Sequence, residues 1–192
     1  MTDMLATAAD LRALLDEDDT SLPDAKAELL LQLATGAVQT AAGQQLVFVA
    51  DDTVQLLGDT DAWFTLPQRP VTAVASVTVD GGTATDYKRF GDRLWRRCGW
   101  AVRACEPSVV EVTYSHGYAD GDGHLTLARS AVLALAAQMF TNPVGAVGMS
   151  IDDYRLQFTQ TSQSDLAGLV PGNLRKALRR TYGARARLVK IG

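Results

Sequence analysis

Apolar residues change their spacing twice along this chain, and those two switches limit what it can fold into. From Thr7 to Ala42 they recur every three to four positions, as one face of a helix requires. Over residues 45–115 the spacing drops to two, the period of a strand with one buried face. Past Gly123 the helical spacing returns in Leu125–Phe140. Such a chain is α+β, with helices supplied by both ends and a sheet formed between them.

Local signals place the elements. Thr7 is a helix cap with Asp10 three residues on, close to a capping box, for a helix running to Leu15. Pro23 opens a second helix over Ala25–Ala42, and Gly43 closes it. Its expected apolar face is Leu29, Leu30, Leu33, Ala37 and Thr40/Ala41. Short strands are expected from Leu46 to Val49, Thr53 to Leu57, Trp63 to Leu66, Val71 to Asp80, Tyr87 to Phe90, Arg93 to Arg97, Trp100 to Cys105 and Val109 to Tyr114. In Val71–Asp80 strict alternation puts Val71, Ala73, Ala75, Val77 and Val79 on one face. Leu125–Phe140 is apolar over more than half its circumference and is expected to be the central buried helix. Gly145–Gly148 reads as a loop, Asp153–Thr159 as a strand, and Asn173–Tyr182 as a last helix capped by Asn173. The expected architecture is a helical bundle at 1–44 and 124–183, a small inserted antiparallel β domain at 45–117, and an extended basic tail at 184–192.

Charge is divided unevenly along the chain. The net charge is −4, yet Met1–Ala62 holds twelve acidic residues and two basic ones, whereas Pro171–Gly192 holds seven basic residues and no acidic one. An acidic body with a basic tail points to different partners at the two ends. Arg175, Lys176, Arg179 and Arg180 cover one side of the last helix, and Arg185-Ala186-Arg187-Leu188-Val189-Lys190-Ile191 alternates basic with apolar residues. That alternation suits the addition of a strand to a partner's sheet edge. Phosphate binding by the same cations is the alternative, a nucleic-acid accessory role, and a frayed, solvated terminus is the plain reading.

Chemistry is sparse. The two histidines, His116 and His124, flank a glycine-rich loop and read as ordinary loop polarity; Ser115, His116 and Asp120 adjoin in sequence without implying a triad. Asp120-Gly121-Asp122-Gly123 opens like a calcium loop, but Leu125 stands where the sixth position needs glycine and Ala131 where the twelfth needs glutamate. Asp51-Asp52 and Asp152-Asp153 lack the further ligand a metal would need. Cys98 and Cys105 are read as free thiols, although their spacing allows a bridge across a hairpin. No run is long and apolar enough for a membrane span, and Met1-Thr2-Asp3-Met4 lacks the basic start of a secretory signal. No enzyme, cofactor or metal is expected.

The succession of segments resembles a known family. Leu66-Pro67-Gln68-Arg69-Pro70-Val71, the run Val74–Gly81, the run Val112–Tyr118, the helix from Ala128 to Pro143, and Val147–Tyr154 follow one another as in the head–tail connector (adaptor) proteins of tailed bacteriophages. One departure is Asp152, where that pattern has glycine. The resemblance implies a structural virion protein at the head–tail interface, present in the host cytoplasm before assembly. It implies a homo-oligomeric ring, usually of twelve copies, beneath the portal protein, which prolongs the DNA channel and meets a stopper or tail-completion protein. It implies that Arg175, Lys176, Arg179, Arg180, Arg185, Arg187, Leu188, Val189, Lys190 and Ile191 dock on the portal. Asp16, Glu17, Asp18 and Asp19 would then face the channel, where genomic DNA passes without sequence-specific contact.

Overall fold

In the computed structural model the described residues are 4–102, 106–141, 148–151, 154–157 and 170–183, with the backbone alone described at 148–151 and 154–157. The elements in chain order are α1 (Ala8–Leu15), α2 (Asp24–Ala42), β1 (Val49–Gly58), β2 (Trp63–Thr65), β3 (Val71–Val79), β4 (Gly82–Thr83), β5 (Tyr87–Phe90), β6 (Arg93–Arg96), β7 (Ser108–His116), α3 (Thr126–Thr141), β8 (Gly148–Ile151), β9 (Tyr154–Gln157) and α4 (Gly172–Thr181). The chain divides into two units, Met1–Gly43 with Gly121–Gly192, and Gln44–Asp120.

The first unit is built on α3. Its buried side chains are Ala128, Ala131, Val132, Leu135 and Ala136, against which α1, α2 and α4 pack. Small residues at these positions let the helix axes approach closely. The Thr7–Asp10 capping box forms, with Thr7 Oγ1 accepting from the Asp10 amide at 3.2 Å and Asp10 accepting from the Thr7 amide at 3.0 Å. Helix α2 ends at Gly43, whose φ of 78° is the left-handed conformation that favours glycine. Asn173 lies inside α4 rather than capping it; Pro171 holds the cap position. Residues 148–157, expected to begin as a loop, contain the antiparallel hairpin β8–β9.

The second unit overturns the expected helical bundle with a small β insertion. It contains seven antiparallel strands in two sheets, ordered β1-β7-β3-β4 and β2-β6-β5. Across the described residues, strands occupy nearly as much of the chain as the four helices. The short strands were visible in the sequence, but each on its own says nothing of pairing. It is pairing that gives this unit a core of its own. Inner side chains of both sheets meet there: Val77, Val110 and Val112 from one, Phe64 and Leu94 from the other.

Trp100 closes this core. It is not in a strand, contrary to expectation, and its side chain is fully buried with its indole N–H donating to the Ala62 carbonyl at 3.2 Å. The Phe64 ring lies 5.1 Å away, centroid to centroid. Burying one such ring contributes about 2–3 kcal/mol.

Strand β3 also departs from strict alternation. Its register on β7 shifts between Val71 and Ala73 and again between Val74 and Ser76. Each irregularity turns the following side chain to the other face. Ala73 and Ala75 therefore point to solvent, while Val74 packs against the core with Val71, Val77 and Val79. At the far end of β7, Gly117 adopts φ 91°, and a Cβ there would collide with the Val47 carbonyl.

Candidate functional site

Helix α4 carries the basic residues that sequence reasoning assigned to docking. Leu178 and Tyr182 are its buried anchors. The Tyr182 hydroxyl donates to the His124 carbonyl at 2.6 Å, and Arg179 Nε donates to the Ala41 carbonyl at 3.3 Å. Arg179 thus satisfies one of the unpaired carbonyls at the C-terminal end of α2, where a cation is also favoured by the helix dipole. Arg175 is half-buried and its Nε has no hydrogen-bond partner among the described residues. Lys176 and Arg180 are exposed. Arg179 is exposed as well, its Nε held at the Ala41 carbonyl, so Lys176, Arg179 and Arg180 are the exposed cations of this helix. The remaining docking candidates, Arg185, Arg187, Leu188, Val189, Lys190 and Ile191, lie outside the described residues, as does Cys105; Cys98 is an exposed free thiol.

The acidic segment between α1 and α2 is tightly wired. Asp16 ends α1 with φ 56°. The Asp18 carboxylate accepts from the amides of Thr20 and Ser21 at 3.0 and 2.8 Å, and from the Ser21 hydroxyl at 2.9 Å. The Ser21 amide is the main cause that holds the Asp18 carboxyl below the ordinary carboxylate range. Arg12 anchors the segment from below. Its Nε donates to the Leu22 carbonyl at 2.9 Å, its guanidinium pairs with Asp24, and Nη1 lies 2.8 Å from Asp19. The segment is a turn held by these hydrogen bonds and ion pairs. Glu17 is half-buried; Asp16, Asp18 and Asp19 are exposed.

His116 is not loop polarity. Strand β7 runs two residues past its expected end, and the His116 side chain is fully buried, with Nε2 3.2 Å from Asp52 Oδ2 and the ring 5.2 Å from that of Tyr114. Its neighbour Ser115 accepts from the Asp51 amide through its hydroxyl at 3.2 Å. Serine and histidine thus serve separate structural contacts, and the partner carboxylate is Asp52, not Asp120. Asp122 Oδ1 accepts from the His124 amide at 2.9 Å and so caps the short 3-10 turn before α3. Among the described residues no group of three or more His, Cys, Asp or Glu side chains is placed to hold a metal, and no helix is long and apolar enough to cross a membrane.

One surface was misassigned. Leu29 and Leu33, expected inside, are 55% and 43% exposed. Ala37 and Ala41 are buried as expected, but the rest of the buried face of α2 is Ala27, Leu31, Ala34 and Val38. Helix α2 therefore has two apolar faces, one of them open.

No known family matches the sequence, and no curated protein matches it. Solved structures do match in fold. A chain in the neck of an empty gene transfer agent particle, computed with sixfold symmetry, aligns with a TM-score of 0.54 at 17% identity, over 95% of this chain and 92% of that one. A chain in the virion of a native gene transfer agent particle aligns with a TM-score of 0.50 at 19% identity, over 95% and 92% of the two chains. The resemblance to head–tail connectors read from the sequence is met at the level of the fold: this chain shares its fold with a chain of a gene transfer agent neck over 95% of its length.

Proposed function

We propose that this protein is a structural subunit of the head–tail connection of a tailed phage or phage-like particle, assembled as a ring beneath the portal. The observation that carries the reading is the fold match with a neck chain, which extends over 95% of the sequence and so includes both units. The matched neck was computed with sixfold symmetry. A closed cyclic assembly needs each copy to offer two different, mutually complementary surfaces.

In this reading the basic end docks on the portal. Lys176, Arg179 and Arg180 supply the exposed cations of α4, and Arg185, Arg187 and Lys190 extend the positive segment with the apolar Leu188, Val189 and Ile191. Asp16, Glu17, Asp18 and Asp19 face the conduit. Carboxylates on a channel wall repel phosphates, so that DNA slides past without sticking. The protein joins other proteins and transforms no substrate.

Deleting residues 184–192 tests the docking role. The truncated chain keeps α4 and is expected to fold with unchanged helix content, but to be missing from purified particles. Normal incorporation of the truncated chain would remove the tail from the portal contact.

A further inference from the structure

The three-stranded sheet β2-β6-β5 has an outer face that nothing in the described chain covers. Antiparallel register places Trp63 opposite Trp95 and Trp95 opposite Lys88, and places Thr65 opposite Arg93 and Arg93 opposite Phe90. These six residues share one side; Phe64 and Leu94 point the other way, into the core. Trp63 and Phe90 touch edge to face with centroids 5.5 Å apart, and they remain 37% and 54% exposed. Lys88 and Arg93 have no ion-pair partner among the described residues. No strand position on this face carries a carboxylate. Tryptophan and arginine together on an open sheet face are the composition of an interface centre.

The other open surface is the outer face of α2. Ala25, Leu29, Leu33 and Gly36 follow one another at helical spacing, all exposed, with Glu28 beside Leu29. Scattered apolar residues on a surface need no explanation, but a stripe along three turns does. The charges of the two surfaces are opposite. The sheet face carries Lys88 and Arg93, and the α2 stripe has Glu28 beside it.

We propose that the outer face of α2 in one copy packs on the aromatic–basic sheet face of the next copy. Leu29 and Leu33 lie against Trp63, Trp95 and Phe90, and Glu28 meets Lys88 or Arg93. Two different patches that fit each other make a head-to-tail contact, the kind that closes into rings. The proposal rests on the ring reading and names the surfaces that build it. Charge fixes the register and selects the partner, and the apolar contact supplies the affinity.

A photo-cross-linker reads this contact directly. The full-length chain carrying Phe90→p-benzoylphenylalanine is irradiated at high concentration, and the cross-linked peptides are identified by mass spectrometry. The expected product joins position 90 to residues 24–42 of a second copy. Adding Lys88→Glu and Arg93→Glu to the probe chain lowers the yield by about tenfold, and a second chain carrying Glu28→Arg restores it. Circular dichroism melts of each variant confirm that it is folded. Cross-links that land elsewhere, an absence of intermolecular cross-links, or a yield indifferent to these charges would each overturn the contact. Native mass spectrometry of the unmodified chain separates this result from the fate of the ring. Closed rings with cross-links elsewhere sink the contact alone; cross-links to α2 in open dimers or filaments keep the contact and sink the ring.

Discussion

The Tyr182 hydroxyl donates to the backbone carbonyl of His124 at 2.6 Å, fastening the last turn of α4 to the start of α3. Together with the bond from Arg179 to the Ala41 carbonyl, it fixes the helix that carries Lys176 and Arg180. Tyr182→Phe removes the hydrogen bond to His124, so stability is expected to fall by about 1 kcal/mol. Urea denaturation reads that loss. Amide exchange in α4 should quicken more than in α2 or α1. Equal protection of α4 in both proteins would show that the hydroxyl contributes nothing to its anchoring.

Acid should loosen the turn between α1 and α2. The Asp18 carboxyl sits below its ordinary value, chiefly because the Ser21 amide donates to it, and Asp10 is lowered chiefly by the Thr7 amide. A folded-state pKa below the unfolded one means that the ionised form stabilises the fold. That contribution is complete above the unfolded value of about 3.9 and disappears as pH falls through the lower folded value. Asp18→Asn keeps an acceptor but has no charge to lose. Its stability should lie below that of the unaltered protein at pH 7, and the two curves should converge below about pH 4. Parallel curves across that range would mean that the turn draws nothing from the carboxylate charge.

The second unit should depend on Trp100 far more than on the tryptophans of its outer face. Trp100 is fully buried and touches Phe64, so Trp100→Ala is expected to cost about 3–5 kcal/mol. Trp63→Ala removes a ring that is 37% exposed and should change stability much less. Thermal melts followed by tryptophan fluorescence and circular dichroism would rank the two. The reverse order would mean that the second sheet, and not its junction with the first, holds the unit together.

Helix ends were legible because their causes are local. The capping box at Thr7 and Asp10, Pro23 at the entry of α2 and Gly43 at its exit each act within a few residues. Faces were less legible. On α2 both Leu29 and Leu31 fit a helical stripe, and only packing against α3 selects Leu31 as the buried one. His116 was missed because its burial comes from β7 being flanked by β1 and β3, which composition near a glycine loop does not reveal. The same limit hid the pairing within the β unit: strand order β1-β7-β3-β4 joins residues dozens of positions apart, beyond the reach of a period. Of the basic residues of α4, sequence supplied the charge but not their contacts. Arg179 reads as one more cation until its bond to Ala41 appears.

Strand β3 offers the sharpest check on what pairing adds to pattern. Simple alternation puts Ala75 and Val77 on one face, whereas the shifted register on β7 sends Ala75 to solvent and Val77 to the core. Lysine at each position separates the two descriptions. Ala75→Lys places an ammonium in water and should alter stability by no more than about 0.5 kcal/mol. Val77→Lys forces a charge among Val112, Val79 and Leu94, a penalty large enough that the unit should not fold at neutral pH. Val74, on the core side despite its even position, should resemble Val77 in direction with a smaller loss, because it is only half-buried. A protein that tolerated lysine at Val74 and unfolded with lysine at Ala75 would restore the uninterrupted strand. It would also remove the irregularities that turn β3 on its neighbour.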